Sequence, residues 1–272
     1  MMKRLPALSN LRNLKNLSTV GCVNLKEIQG LDKLESLEML DVNDCRTMER
    51  LLDLSNLRNL KHLSIARCFN LKEIQGLDGL ESLEILYLND WISMERLPSL
   101  SNLRNLKLLS TAECFNLKEI QGLDGLESLE TLYLNNCISM ERLPVLSNLR
   151  NLKHLSTAGC FNLKKIQGLD GLESLEMLYL TNCISMERLP ALSNLRNLKH
   201  LSTAGCFNLK EIQGLRRLES LETLDLNNCK SMKRLPDLSN LRNLKHLSTA
   251  GWDNLMGIQG LDRLESLETH WI

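Results

Sequence analysis

The sequence predicts an α/β solenoid made of 23-residue coils, and three observations carry that prediction. The segment 192–214, LSNLRNLKHLSTAGCFNLKEIQG, recurs along the chain, and it alternates with a second segment of equal length, such as 169–191. Leucines recur at positions 1, 4, 7 and 10 of both segments, and at position 12 in most copies of the second. Almost every residue has a near-copy 46 places away. Self-similarity at a fixed period is the signature of a repeat architecture.

The two segments, called type A and type B units here, fill the whole chain. Type A units begin at Leu8, Leu54, Leu100, Leu146, Leu192 and Leu238. Type B units begin at Leu31, Leu77, Leu123, Leu169, Leu215 and Leu261. We therefore predict one domain over 1–272, with a partial coil at 1–7, coils from 8 to 260, a partial coil at 261–272 and no terminal caps.

The spacing of the leucines predicts the local structure of each unit. Positions 10 and 12 are two apart, as inward residues of a short strand are. Positions 1, 4 and 7 are three apart, which suits a 3₁₀ or other tight helical turn. In type B units, Asp at position 2 and Glu at position 5, such as Asp78 and Glu81, have the spacing of a capping box. Each unit therefore reads as a strand, a turn and a short irregular helical arc.

The pattern LxxLxxLxxLxLxxC resembles the leucine-rich repeat along the entire chain. Its cysteine-bearing form, with LEMLDVNDC at 37–45 and CISMERLP at 183–190, resembles the repeats of plant intracellular NB-LRR (TIR-NB-LRR-like) disease-resistance receptors. The resemblance implies a curved solenoid with a parallel sheet on the concave face and short arcs on the convex face. It also implies a cytoplasmic recognition or autoinhibition region that binds an effector or another receptor domain.

All cysteines occupy position 15 of their units. They are Cys22, Cys45, Cys68, Cys114, Cys137, Cys160, Cys183, Cys206 and Cys229. Zinc sites need clustered ligands such as CxxC, which this sequence lacks. Cysteines of adjacent coils come within disulfide range, but their parallel Cβ directions fit the disulfide dihedral poorly. We therefore expect a buried, reduced ladder in a reducing compartment, with no metal and no cofactor.

Charge alternates between the two unit types. Position 8 reads Lys61, Glu84, Lys107 and so on, and positions 5 and 19 alternate in the same way. Because stacked like charges destabilise a sheet, the alternation predicts ion pairs between coils. Lys plus Arg and Asp plus Glu are equal at 33 each, which argues against nucleic acid or an anionic membrane as the partner.

No catalytic motif accompanies the repeats. The sequence has no phosphate-binding loop, nucleophile elbow or HExxH, so we do not expect an enzyme. No apolar run approaches the roughly 20 residues of a membrane span. The first ten residues have no apolar segment of a secretory signal.

The outward residues of the strands are the candidate protein-binding site, at positions 9 and 11. They are His62, Tyr87, Leu108, Thr131, Tyr133, His154, Met177, Tyr179 and His200. Tyrosine and histidine join an apolar body to a polar tip, which suits a protein interface. The alternative is a solvated surface that duplication has copied. An apolar row at position 16, with Phe69 and Ile92 among its members, is expected to pack at the edge of the core, with a docking stripe as the alternative.

The ends of the array suggest a second function. Because neither end carries a polar cap, the exposed leucines there are expected to associate head to tail, which forms rings or filaments. The residues concerned are Leu5, Leu8, Leu11, Leu264, Leu267 and Ile272. The chain would then be a structural, self-assembling repeat protein without a specific ligand.

Overall fold

In a computed structural model, the chain forms a parallel β-solenoid with one strand of the main sheet in each unit. The structure describes residues 4–6, 8–51, 53–252 and 257–271. The twelve strands of the main sheet are β1 (Asn16–Ser18), β2 (Met39–Asp41), β4 (His62–Ser64), β6 (Ile85–Tyr87), β7 (Leu108–Ser110), β8 (Thr131–Tyr133), β9 (His154–Ser156), β10 (Met177–Tyr179), β11 (His200–Ser202), β12 (Thr223–Asp225), β13 (His246–Ser248) and β14 (Thr269–Trp271). Two shorter strands, β3 (Arg50–Leu51) and β5 (Glu73–Ile74), pair separately.

Every pair of neighbouring strands in the main sheet has the same register. Leu178 of β10 lies between Leu155 of β9 and Leu201 of β11, so each step across the sheet is one unit of 23 residues. The sequence therefore predicted both the strand position and the register. A register shift of one residue would turn the inward leucines to solvent, which fixes the pairing.

The core is a column of stacked leucines. Leu172, Leu175, Leu178 and Leu180 of one type B unit are all fully buried. The same positions are buried in the other interior units, so each coil adds one layer. Burying a leucine side chain contributes about 1.5–3 kcal/mol, and this repeated term lets the solenoid form without one large globular core.

Each type B unit begins with a three-residue 3₁₀ turn. The turns are Leu31–Lys33, Leu77–Gly79, Leu123–Gly125, Leu169–Gly171, Leu215–Arg217 and Leu261–Arg263. The predicted capping box is wrong: in none of these six turns does a side chain cap the first turn. A left-handed glycine, such as Gly76 with φ 76°, precedes each turn, and Asp78 lies inside the turn rather than before it.

Position 14 adopts the left-handed conformation in every unit where the structure describes it, whichever residue is present. Glycine is found there at 159, 205 and 251, and asparagine at 136, 182 and 228. Arg67 (φ 60°) and Glu113 (φ 64°) adopt the same conformation, although it costs a residue with a Cβ about 1–2 kcal/mol. The coil therefore imposes this backbone geometry on its sequence.

Side chains connect the coils at several positions, and the sequence predicted the ion pairs at two of them. At position 8, lysines pair with the glutamate of the preceding unit, as Lys153 does with Glu130 at 2.8 Å. At position 19, Lys164 pairs with Glu141 at 2.8 Å. The prediction was wrong at position 5, where the described residues form no ion pair within 4 Å. Instead, Asn151 at position 6 donates to the backbone carbonyl of Glu127 at 2.8 Å.

Candidate functional site

The side chains at positions 9 and 11 lie together on the face of the main sheet that points away from the core, called the strand face below. Leu178, between these two positions in β10, is fully buried, whereas Met177 is half-buried and Tyr179 is 36% exposed. The structure therefore brings all nine candidate residues onto one continuous surface. Ser110 and Ser156, at position 11 of two interior type A units, are buried between the tyrosines of the neighbouring strands.

A hollow of about 400 Å³ lies at the N-terminal part of this face, on strands β2, β4 and β6. Its apolar wall comes from Met39 and Ile85, which flank His62 on the two neighbouring strands. Asp41 and Tyr87 supply a carboxylate and a phenol. This combination of an apolar wall and a few polar groups is typical of a ligand-binding concavity.

Two polar groups in the hollow, the Asp41 carboxylate and the His62 ring, keep atoms without a hydrogen-bond partner among the described residues. The Oδ1 atom of Asp41 accepts a hydrogen bond from the backbone N–H of Asn43 at 3.0 Å, and no described residue donates to its Oδ2. No cation of the described chain lies within 4 Å of this carboxylate. His62 is exposed, and among the described residues its ring has no hydrogen-bond partner.

The C-terminal part of the strand face carries the same residue types in a closed arrangement. Asp225 accepts hydrogen bonds from the Ser202 hydroxyl and the Asn227 backbone N–H, both at 3.2 Å. The Nδ1 atom of His200 lies 3.2 Å from the hydroxyl of Thr223. Two sites that look equivalent in the sequence therefore differ in how many polar atoms remain available to a partner.

Asparagines at position 13 of type B units hold the end of the next strand in place. Asn43 Oδ1 accepts hydrogen bonds from the Ser64 hydroxyl at 2.8 Å and the Ala66 N–H at 2.7 Å. Asn89 does the same for the unit that follows. This role of asparagine was not predicted, although asparagine stands at position 13 in four of the five type B units that contain this position.

A charged cluster borders the hollow at position 14. Arg67 lies 3.8 Å from the carboxylate of Asp44 and 3.6 Å from that of Asp90, on the two neighbouring coils. Four of the five other type A units have glycine where Arg67 stands, and the fifth has Glu113. These two ion pairs place a charged group beside the hollow, so the cluster is grouped with the candidate site.

The cysteine ladder is structural. Eight of the nine thiols are buried, Cys22 is half-buried, and all nine are free. Each buried thiol donates to the carbonyl of position 12 in the preceding coil, as Cys183 does to Thr157 at 3.1 Å. Burial raises the pKa of Cys68 to about 12 and that of Cys183 to about 11, so these thiols stay protonated. Trp252, which replaces a cysteine, donates its indole N–H to the equivalent carbonyl of Leu226.

The apolar row at position 16 lies at the surface rather than in the core. Ile92, Phe161 and Phe207 are 40–43% exposed, and the other members are half-buried. The members are Phe69, Ile92, Phe115, Ile138, Phe161, Ile184 and Phe207. The expected packing at the edge of the core is therefore only partial, because the inward residue that precedes each member, a cysteine or Trp91, already fills the core layer.

The residues proposed for head-to-tail contact differ in exposure. Leu11 is 48% exposed and Leu5 and Leu267 are half-buried, whereas Leu8 and Leu264 are buried by their own coils. Ile272 lies outside the described residues. On β14, Trp271 is 67% exposed beside an open sheet edge.

The described part of the chain has neither a cluster of metal ligands nor a membrane-spanning helix. It contains no group of three His, Cys, Asp or Glu side chains arranged to hold a metal ion. Its helical segments are single 3₁₀ turns, and none has the length and apolarity needed to span a bilayer.

The inward leucines, the one-strand coils and the outward strand face together define a leucine-rich-repeat solenoid, a class that typically serves as a non-enzymatic binding scaffold. Residues 110–233, which are 124 of the 272, match the family "BspA type Leucine rich repeat region" in six copies. The central coils are therefore similar to that family. A comparison with curated proteins finds no match.

Solved structures share the fold at low sequence identity. An internalin, InlF from Listeria monocytogenes, superposes with a TM-score of 0.60 and 20% identity, over 96% of this chain and 87% of its own. The leucine-rich repeat domain of the type III effector XopL superposes with a TM-score of 0.54 and 22% sequence identity, over 82% of this chain and 72% of its own. The receptor of the TLR13–ssRNA13 complex superposes with a TM-score of 0.55 and 19% sequence identity, over 93% of this chain and 44% of its own. Likeness at these identities shows the fold alone.

Proposed function

We propose that this chain is a protein-binding scaffold and that its partner docks on the strand face. The observation that carries the proposal is the open hollow on β2, β4 and β6, where Asp41 and His62 keep unpaired polar atoms beside an apolar wall. Tyrosine is enriched at the energetic centres of protein interfaces, and Tyr87, Tyr133 and Tyr179 continue the same surface along the sheet.

The chemistry of the hollow favours a basic side chain of the partner. The carboxylate of Asp41 has no cation of this chain within 4 Å, so an arginine or lysine would supply its missing counter-charge. The aliphatic stem of such a residue would lie against Met39 and Ile85, in the way that long basic side chains cover apolar surface. The TLR13 structure contains RNA, but an uncompensated carboxylate in the hollow disfavours a polyanion here.

A finer role rests only on the sequence resemblance at 37–45 and 183–190. On that basis the chain would be the recognition or autoinhibition region of a plant intracellular immune receptor and would reside in the cytoplasm. The free thiols support a reducing compartment, since long runs of unpaired cysteines are rare in oxidising ones. The partner would then be an effector or another domain of the same receptor.

Site-specific photo-crosslinking tests the proposed face. A photoreactive phenylalanine analogue at Tyr87, Tyr133 or Tyr179 should capture a defined protein partner, identified by mass spectrometry. The same analogue at Ser101, an exposed residue on the opposite side of the coil, serves as the control. Equal capture of the same protein from Ser101 and from Tyr87 would contradict docking on the strand face.

A second candidate function, self-association of the chain, is favoured by apolar side chains at the surface of the outermost described coils. Leu11 is 48% exposed and Trp271 is 67% exposed. Exposed apolar surface of this kind favours contact with another copy. Light scattering of the chain at micromolar concentration should then give a mass above the monomer, and Trp271→Lys should restore the monomer. A monomeric mass for the wild-type chain contradicts this second function.

A further inference from the structure

One type B unit departs from the repeat on the arc side, which is the side of the coil opposite the strand face. Three type B units begin Leu-Asp-Gly-Leu, at 77–80, 123–126 and 169–172, and two others keep the Asp. The unit at 215–218 begins Leu-Arg-Arg-Leu. The change from Asp-Gly to Arg-Arg takes the local charge from −1 to +2, a difference of three charges. In an array of near-copies, a local change of this size marks a candidate site.

The two substituted arginines meet a third arginine from the neighbouring coil. Arg216 and Arg217 lie in the 3₁₀ turn Leu215–Arg217, and Arg196 comes from position 5 of the preceding unit. All three side chains are exposed and line one depression of about 630 Å³. Within the described chain, none of the three guanidinium groups has a carboxylate within 4 Å; arginine ion pairs form instead at Arg46, Arg67 and Arg96.

The remaining lining of this depression is rich in hydrogen-bond donors. Ser193 and Ser220 contribute hydroxyl groups and Asn240 contributes an amide. Glu219 is the one acidic side chain lining the depression. Three arginines and one glutamate give a net charge of +2, so the depression offers forked donors and positive charge to an acceptor-rich ligand.

We propose that the depression around Arg196, Arg216 and Arg217 binds a small soluble polyphosphate anion. Guanidinium groups bind phosphate oxygens through paired hydrogen bonds, which is the strongest recognition available to exposed arginine. The arginines come from two adjacent coils, so a ligand with two linked phosphate groups bridges them better than a single phosphate. A net charge of +2 likewise matches a ligand with more than one negative charge.

Calorimetric titration with inorganic pyrophosphate tests the site. The double variant Arg216→Asp/Arg217→Gly restores the sequence of three sister units, so its fold is already represented in the chain. We expect this variant to bind pyrophosphate at least about 10-fold more weakly than the wild type. Lys233→Glu is the control: it also restores a sister sequence, found at Glu187, and it lowers the charge of the same unit by two outside the depression. The control should stay within about twofold of the wild type.

Three outcomes would overturn the proposal. The double variant could bind pyrophosphate as the wild type does. Lys233→Glu could weaken binding as much as the double variant, which would mean an adventitious ion only, attracted by overall charge. Vesicles containing a phosphorylated inositol lipid could bind the chain while pyrophosphate does not, which would assign the arginines to a membrane surface.

Discussion

The N-terminal strands β2, β4 and β6 and the C-terminal strands β10 to β12 have the same backbone but differ in what their side chains leave open. Asp41 and Asp225 occupy the same position of their units, as do His62 and His200. In the C-terminal region, His200 and Asp225 both have hydrogen-bond partners in the sheet, Thr223 and Ser202. In the N-terminal region they face a hollow. A repeat can therefore keep its scaffold constant and create a binding site by leaving side chains unpaired.

The largest predicted effect concerns the scaffold, which we expect to be equally stable in both regions. Leu63 and Leu201 occupy the same inward position and are fully buried or nearly so. Leu63→Ala and Leu201→Ala should each lower the free energy of unfolding by about 2–5 kcal/mol, because each leaves a cavity in one leucine layer. Urea denaturation followed by circular dichroism measures both. A loss confined to one variant would mean that the two regions differ in packing, not only in their outward residues.

The next effect concerns the left-handed residue at position 14. Arg67→Gly should raise the free energy of unfolding by about 1 kcal/mol, because glycine adopts φ near 60° without a Cβ clash. The reciprocal variant Gly205→Ala should lower it by about 1–2 kcal/mol, because its new Cβ would meet Asn182. The same denaturation assay compares the two. If Arg67→Gly were destabilising instead, the pairs with Asp44 and Asp90 would outweigh the backbone strain.

Thiol reactivity distinguishes the first coil from the interior coils. Cys22 is half-buried, whereas Cys183 is fully buried and its pKa is raised to about 11 by burial. Since the thiolate is the reactive form, iodoacetamide at pH 8 should label Cys22 first and leave Cys183 unlabelled in the folded chain. Peptide mass spectrometry measures the order of labelling.

The raised pKa of Cys183 also predicts how stability depends on pH. Because the thiols of the unfolded chain lose their protons at lower pH than the buried thiol does, the free energy of unfolding should fall as the pH rises above about 9.

The smallest effect is electrostatic and again separates the two regions. Hydrogen bonds from Lys15 and Lys61 lower the pKa of Glu38 to about 2, whereas the pKa of Glu176 is lowered chiefly by a hydrogen bond from one lysine, Lys199. A lowered pKa stabilises the fold above the ordinary glutamate value, and that contribution disappears as the pH falls toward 2. Carboxyl-carbon NMR titration should find Glu38 charged at lower pH than Glu176. Lys15→Met should remove most of this difference, and an unchanged Glu38 titration in that variant would contradict the two-lysine arrangement.

The sequence predicted the scaffold well because leucine and cysteine spacing determines which side chains point inward. Strand positions, register, the buried thiols and the ion pairs at positions 8 and 19 all follow from the 23-residue period. The open hollow could not be predicted in the same way, because it depends on whether a neighbouring side chain reaches the polar group. Thr223 beside His200 donates or accepts a hydrogen bond, whereas Ile85 beside His62 cannot.

The matched pair Asp41→Asn and Asp225→Asn gives the most direct test of a binding site on the N-terminal strands. Each variant can keep the Oδ1 acceptor for the backbone N–H two residues later, while it removes the charge and replaces the second carboxylate oxygen by an amide donor. For the protein identified by crosslinking at Tyr87, we expect Asp41→Asn to weaken affinity at least about 10-fold, because the partner's cation loses its counter-charge. Asp225→Asn should leave affinity within about twofold, since that carboxylate is occupied by Ser202. Equal affinities for both variants, or a larger loss with Asp225→Asn, would contradict the account.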